Sequence, residues 1–263
     1  TEIYTLSLHD ALPISTPAFA QSAAPAAEAS PHTLTGNVGL FSSYRFRGID
    51  QTFGKPAVQG GVDYSHSSGF YVGNWNSNVS EGAGYPGGNL EMDLYGGYKT
   101  SFGDVGIDVG AIYYYYPGSE AAGFGGNKGA VNNKEVYVGA SWQFLSLKYY
   151  HAVDDYFSAA NTKGTNYLDL AGTYDLGDGW GVNAHVGRLN MKNSTDGDYT
   201  DWKVGVTKDI NGWIVGASWV DTNAKKSFYT LANNVNNDGS ASADAKFKNL
   251  GRGIAVVSVS RSF

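Results

Sequence analysis

The residues most capable of chemistry are charged side chains that recur at every second position of predicted strands. The bases are Arg45, Arg47, Lys148 and Lys203, and the acids are Asp63, Glu91, Asp93, Asp108, Glu135, Asp169 and Asp201. Alternation with period two puts such residues on one face of a sheet and apolar residues on the other. A face with both charge signs predicts either an ion-pair network or a charged passage that sorts solutes. The excess of acids predicts a weak preference for cations in a conducting passage.

Catalytic and metal chemistry have little support in the sequence. His151 with Asp154 and Asp155 is the one catalytic candidate, but His151 alternates with Leu147 and would share its apolar face. Cysteine is absent, and the five histidines lack metal-ligand spacing. The net charge of −6 offers no basic stripe for nucleic acid. We therefore expect no enzyme, no cofactor, no metal and no nucleic-acid partner.

The sequence predicts that the charged residues are positioned by long, amphipathic strands. Leu90, Met92 and Leu94 alternate with Glu91 and Asp93, and similar segments of about 9 to 13 residues recur along the chain, the length of tilted membrane strands. Charged residues make up only 16% of the chain and aromatics 14%. Several aromatics stand near segment ends, where a membrane-interface girdle is expected: Tyr44, Phe46, Tyr98, Tyr113, Trp142, Trp180 and Trp213.

Connections between these segments alternate between short and long. Five short turns rich in Gly, Asp and Asn are predicted at residues 65–69, 101–104, 144–146, 175–179 and 209–212. Six long loops are predicted at residues 50–55, 80–89, 117–133, 154–165, 190–199 and 222–250. Bacterial outer-membrane barrels have short periplasmic turns and long extracellular loops. The fold class predicted is therefore all-β, a single transmembrane antiparallel up-and-down barrel of about 12 strands.

The chain ends carry separate expectations. Residues 1–15 resemble translated sequencing-adapter sequence. Residues 1–20 as a whole are interpreted as a signal-peptide remnant, which ends with the predicted cleavage site Ala18-Phe19-Ala20. Residues 21–33 are rich in Ala and Pro, which predicts disorder. The barrel is predicted over residues 34–263, and its terminal Phe263 resembles the assembly signal read by the barrel-assembly machinery.

Three segments carry a resemblance to a known family: residues 43–48 (SYRFRG), residues 69–73 (GFYVG) and the ending at residues 258–263 (SVSRSF). Together they resemble the TorF-type porins of proteobacteria over residues 34–263. The resemblance implies an outer-membrane barrel with a pore, and it implies no particular solute.

The function expected is a porin-like outer-membrane channel for passive passage of small hydrophilic solutes or ions. Its partners would be outer-membrane lipid and lipopolysaccharide. A barrel of this size has a narrow lumen, and Tyr85, Phe124 or the loop at residues 222–250 could fold in as a plug. The alternative is a non-conducting structural or binding barrel that acts through its extracellular loops.

Overall fold

Twelve strands with alternating sequence close into one antiparallel barrel in the computed structural model, which describes residues 30–121, 129–234 and 241–263. In chain order the strands are β1 (His32–Phe41), β2 (Arg45–Phe46), β3 (Ile49–Asp50), β4 (Ala57–His66), β5 (Phe70–Asn78), β6 (Leu90–Phe102), β7 (Val105–Tyr115), β8 (Asn132–Trp142), β9 (Leu145–Ala152), β10 (Asn166–Gly177), β11 (Trp180–Asn190), β12 (Tyr199–Ile210), β13 (Trp213–Thr222), β14 (Thr230–Ala232), β15 (Phe247–Asn249) and β16 (Ile254–Ser262). The pairs β2–β3 and β14–β15 are small hairpins outside the barrel sheet.

Each barrel strand pairs with its neighbours in the chain, and β16 pairs with β1 to close the ring. Phe263 completes this seam, because its backbone N–H donates to the Gly36 carbonyl at 2.9 Å and its carbonyl accepts from the Gly36 N–H at 2.8 Å. The twelve-strand barrel and its alternation of five short turns with six long loops are confirmed. At one short turn Asn211 (φ 55°) and Gly212 (φ 84°) both adopt the left-handed conformation of a two-residue hairpin.

The barrel begins slightly earlier than the sequence suggested. His32 and Thr33 already pair with His66 and Ser65 of β4, so β1 starts two residues before the expected boundary at Leu34. The segment at residues 1–20, most of the segment predicted to be disordered and the plug candidate Phe124 lie outside the described residues.

Apolar side chains face outward and polar side chains face inward. Leu94, Val109 and Val204 are 52%, 43% and 59% exposed. Asp93, which directly precedes Leu94 on β6, is 0% exposed. This arrangement is the reverse of a soluble sandwich, whose apolar faces would meet in a dry core. Among the described residues, no helix is long and apolar enough to cross a membrane.

Two strands whose faces the sequence left ambiguous are resolved by the register. On β5, Trp75 is fully buried inside the barrel, while Val72 is 56% exposed. On β13, Trp219 faces outward at 48% exposure and Val220 faces inward at 4%. Side chains directly opposite on paired strands share a face, and the neighbours of these four residues agree with the assignment.

Outward-facing aromatics mark both ends of the apolar band. Those at the turn end are Tyr64, Phe70, Tyr98, Phe102, Trp142, Phe144, Tyr174, Trp180, Trp213 and Phe263. Two residues expected in the girdle lie elsewhere. Tyr44 is 1% exposed and packs on Trp75 inside the barrel, and Phe46 packs on Tyr114. The sequence-based assignment of these two was wrong because β1 ends at Phe41 and the chain then turns inward.

Candidate functional site: a lumen closed on its loop side

The first long connection (residues 42–56) folds into the barrel. Its inner part, residues 43–52, contains β2 and β3 and is called here the plug hairpin. The tip residues Arg47 (φ 48°) and Gly48 (φ 77°) are both left-handed, as a two-residue hairpin turn requires. A side chain at position 48 would also collide with the inner surface of the barrel, since its Cβ would lie 2.4 Å from Thr222 Cγ2 and 2.7 Å from Asp201 Cβ. Glycine therefore lets the tip pack directly against the inner wall formed by β12 and β13.

Arg47 joins the hairpin tip to the barrel. Its guanidinium donates two hydrogen bonds to the carboxylate of Glu135 on β8, from Nη2 to Oε2 at 2.7 Å and from Nη1 to Oε1 at 3.0 Å. Nη1 also donates to the Tyr156 hydroxyl at 3.1 Å. The group lies 4.3 Å from the ring centre of Tyr167 and 5.0 Å from that of Tyr150. Burial alone would lower the pKa of Arg47, but the neighbouring Glu135 carboxylate raises this pKa well above its ordinary value.

Arg45 joins the hairpin to the sixth long connection (residues 223–253). Its Nη1 donates to the carbonyl oxygens of Leu250 at 2.9 Å and Arg252 at 3.2 Å. Asp50, fully buried on the same hairpin, lies 3.6 Å from Arg45 Nη2 and 3.0 Å from Lys248 Nζ. Burial lowers the pKa of Arg45. Buried ionic groups with these partners keep the hairpin in one position, because displacing it would leave several of them unpaired.

Aromatic residues close the other side of the hairpin. Tyr44 meets Trp75 edge to face with ring centres 5.5 Å apart. The Tyr85 hydroxyl hydrogen-bonds to Gln51, and the Tyr85 ring stacks on Tyr116 with centres 4.0 Å apart. Tyr85 is thus one of the expected plug residues that does lie in the closure, at 5% exposure.

Two acids lie behind this aromatic layer. Glu91 and Asp93 are 0% exposed, and Glu91 accepts a hydrogen bond from Tyr116 at 2.8 Å. Burial is the main reason that the pKa of Tyr44 is raised well above its ordinary value, and the nearby Glu91 and Asp93 carboxylates raise this pKa further. These acids are part of the closed section of the lumen and are shielded from water.

Below the hairpin the lumen opens toward the turn end of the barrel. Along the inner face of β12, Asp201 is fully buried at the loop end, whereas Lys203 and Thr207 toward the turns are only half-buried. A cavity of about 260 Å³ occupies this region, called here the vestibule. The ionisable residues that line it include Arg45, Arg47, Lys99, Asp108, Lys148, Asp169, His185 and Lys203.

Charges in the vestibule interact with one another. Lys148 Nζ lies 2.8 Å from Asp108 Oδ2, and Tyr71 donates to the other oxygen of Asp108 at 2.7 Å. His185 lies between two acids, with Nδ1 2.9 Å from Asp169 and Nε2 3.2 Å from Asp201. The accessible part of the lumen is therefore lined by ion pairs and carries no simple excess of acid.

All eleven charged residues singled out from the sequence point into the barrel, but they fall into two sets. Arg45, Arg47, Glu91, Asp93, Glu135 and Asp201 belong to the closed section. Asp63, Asp108, Lys148, Asp169 and Lys203 lie toward the turns, where Asp63 accepts a hydrogen bond from the Tyr95 hydroxyl at 2.6 Å.

Sequence reasoning assigned no role to Lys99 or His185, although both alternate with outward residues in the same way. It also missed the inward tyrosines that bind the acids, because tyrosine occurs on both faces. His151 shares the outward face with Tyr149, and Asp154 instead pairs with Lys134 at 3.0 Å. In the described residues no group of three or more His, Cys, Asp or Glu is placed to hold a metal ion.

Comparisons with known proteins agree with the barrel. The solved structure of the KdgM porin superposes with a TM-score of 0.52 at 10% identity, covering 87% of this chain and 99% of the porin. A KdgM porin in complex with disordered oligogalacturonate gives a TM-score of 0.50 at 8% identity, covering 88% and 98%. At these identities the likeness shows the fold alone. No curated protein matches the sequence.

A family comparison goes further than the fold. Residues 25–263 match the family described as "Bacterial protein of unknown function (Gcw_chp)". The TorF-type resemblance stays an expectation, since this match does not carry that name. Because the match covers the whole barrel, the chain belongs to the Gcw_chp family.

Proposed function

We propose that this protein is a porin-like channel of the bacterial outer membrane for small hydrophilic solutes or ions, closed on its loop side by the plug hairpin. The observation that carries the proposal is the water-accessible, ion-lined vestibule that leads from the turn end of the barrel up to Arg47. A purely structural barrel of this width has no need for a polar cavity at its centre. The outward apolar band and the aromatic girdles support the membrane location.

Passage requires the plug hairpin to move or to leave a narrow path beside it. The hairpin is attached through a few specific contacts, chiefly Arg47 with Glu135 and Arg45 with the carbonyl of Leu250. Such attachments have two discrete arrangements, formed or broken, and so suit a gate. The vestibule faces the end with short turns, which is the periplasmic end in bacterial barrels; in the closed state it would be filled from the periplasm.

The excess of acids that suggested a cation preference is not present in the accessible part of the lumen. Glu91, Asp93, Glu135 and Asp201 are at most 2% exposed, so a permeating ion in the vestibule would meet mainly the lining residues Lys99, Asp108, Lys148, Asp169 and Lys203. We propose a weak charge selectivity whose sign is set in the vestibule.

The second candidate is a non-conducting barrel whose long loops bind an extracellular partner. The complete burial of the loop-side cross-section favours it, since Trp75, Asn133 and Tyr167 are all at most 2% exposed. In that case the plug hairpin would be a permanent part of the barrel core.

Planar-bilayer conductance separates the two candidates. The folded barrel and a variant in which residues 43–52 are replaced by a short Gly/Ser linker would be compared, with heat-modifiable gel mobility as the folding check. A channel predicts a small or flickering current in the parent and a large, steady current in the variant. A parent that never opens at any voltage, beside a variant that conducts, would support the non-conducting barrel. A folded variant without current would overturn the channel.

A further inference from the structure

The outward face of β5 carries amide side chains within the apolar band. Asn74, the central residue of this strand, and Asn76 both face outward, because their cross-strand neighbours Val62 and Leu94 are 51% and 52% exposed while the alternating residue Trp75 is fully buried. In the described barrel strands, Asn74 is the only amide or charged side chain that faces outward more than two residues from a strand end.

The depth of these amides keeps them away from water. Asn74 is four residues from Phe70 in the turn-end girdle, which places it about 13 Å along the strand. Hydrocarbon offers no hydrogen bonds, so an unsatisfied amide there is strongly unfavourable. Polar groups at such a depth in other membrane proteins face protein or a water-filled cavity and pair with other polar groups or with backbone carbonyls.

The two amides satisfy each other only in part. Asn76 Nδ2 donates to Asn74 Oδ1 at 2.6 Å, and Asn74 Nδ2 donates to the Asp93 carbonyl at 3.0 Å. Within the described residues, the side-chain oxygen Oδ1 of Asn76 accepts no hydrogen bond. One acceptor and the second N–H of Asn76 are thus left to a group outside this chain.

We propose that the outer face of β4–β6 around Asn74 and Asn76 binds a second copy of this chain in the membrane. All copies insert with the same orientation, so a two-fold axis along the membrane normal places each residue at the same depth as its own equivalent in the other copy. An amide carries both a donor and an acceptor and is therefore complementary to itself at equal depth. Gly60 lies beside Asn76 on the outer face and adds no side chain between the copies.

No other occupant fits these observations as well. A lipid headgroup does not reach this depth, and a partner chosen by charge would need an ionic group that the patch lacks. Hydrogen bonds between amide side chains stabilise helix association in membranes, and the same physics applies between strands. The inference rests on the membrane location proposed above but not on conduction.

Cysteine cross-linking provides the test, since the chain contains no cysteine. Asn76→Cys would be compared with Val186→Cys on β11, six strands away around the barrel and also outward-facing at 45% exposure. Native outer membranes would be treated with a short thiol cross-linker. We expect a covalent dimer of this chain for Asn76→Cys at five-fold or greater yield over Val186→Cys. Equal yields at the two sites, or adducts only with a different protein, would overturn the proposal.

A second variant tests the amides themselves. Asn74→Leu with Asn76→Leu removes both polar groups but keeps the lipid-facing surface, so the barrel should insert and stay heat-modifiable. We expect this variant to lose most of the dimer seen for the parent in unheated gels and in nanodisc mass measurements. An unchanged dimer fraction would show that the amides do not mediate association. A parent chain that is absent from the outer-membrane fraction would instead refute the membrane location, which separates the two failures.

Discussion

Arg47 and Glu135 are 88 positions apart in the chain and form a two-point ion pair inside the barrel, with N–O distances of 2.7 and 3.0 Å. Both side chains are at most 3% exposed. One belongs to a loop hairpin and the other to a barrel strand, so this pair fixes the position of the closure relative to the barrel.

Breaking this pair should loosen the plug hairpin. In Arg47→Ala the Glu135 carboxylate stays buried without its partner, and we expect a loss of about 3–5 kcal/mol in unfolding free energy together with larger or more frequent channel openings. Urea unfolding in vesicles and single-channel recording measure the two effects. Replacing both residues by Met should recover much of the stability but not the closure. Arg188→Ala, at an exposed outward site, should change neither. A destabilised but electrically silent Arg47→Ala would speak against a gate.

Charge reversal in the vestibule should change ion selectivity. Lys203 points into the lumen and Lys208, on the same strand, points outward beside Trp180. Lys203→Glu replaces a positive charge with a negative one where ions pass, so its reversal potential in a salt gradient should move toward cation preference. Lys208→Glu should leave the reversal potential unchanged. Identical shifts for both substitutions would mean that the vestibule is not the conducting path.

A charge on the outward face should be costly at the middle of the band. Val204 is 59% exposed on the outer surface, and an arginine at the bilayer midplane of a barrel costs about 2–4 kcal/mol. We expect Val204→Arg to lower the unfolding free energy in vesicles by that amount. Thr207→Arg, which places the same charge in the vestibule, should cost less than half as much. The reverse order would contradict a lipid-facing surface.

Gly187 on β11 leaves space for a buried tyrosine. A Cβ at this position would lie 1.8 Å from the Tyr167 hydroxyl, which binds Asp201 at 3.1–3.2 Å. Gly187→Ala must therefore displace Tyr167, and overpacking of this kind costs about 1–3 kcal/mol. At Gly172 the same change meets only the end of Leu145 at 3.3 Å, so Gly172→Ala serves as the control. Chemical unfolding of the two variants should differ by at least 1 kcal/mol, and equal stability would mean that the Tyr167 position is not fixed.

The terminal aromatic should matter for barrel closure. The Phe263 ring lies over Gly36, where a Cβ would meet it at 2.6 Å. Phe263→Ala loses this packing at the β1–β16 seam, and we expect several-fold less folded barrel in the membrane fraction. Phe263→Tyr keeps an aromatic ring and should assemble normally. Equal yields of the alanine and tyrosine variants would remove any role of this residue in assembly.

Much of the barrel could be predicted because it depends on local pattern. The alternation of Leu90, Met92 and Leu94 with Glu91 and Asp93 fixes which side chains share a face, and turns such as Asn211-Gly212 fix where strands reverse. Errors arose where the pattern was equivocal. Tyr44 and Phe46 follow a strand-like stretch, and nothing local distinguishes a girdle aromatic from one that folds into the lumen.

A plug that includes Tyr85 could be anticipated, but the segment that forms most of it, residues 43–52, could not. Arg45 and Arg47 were expected among lumen-facing charges, but their partners lie up to 207 positions away, and spacing in one sequence carries no information about such contacts. The same holds for His185, whose position between Asp169 and Asp201 depends on the register of three strands.

By itself the sequence determined the number of strands, their order, the alternation of turns and loops and the direction of the apolar face, because each follows from period-two patterning and turn chemistry. Only the tertiary structure decided that the first loop fills the lumen, that most acids are shielded from water and that two amides face outward. These features depend on which side chains meet across a closed barrel, and closure brings together residues that are remote in the chain.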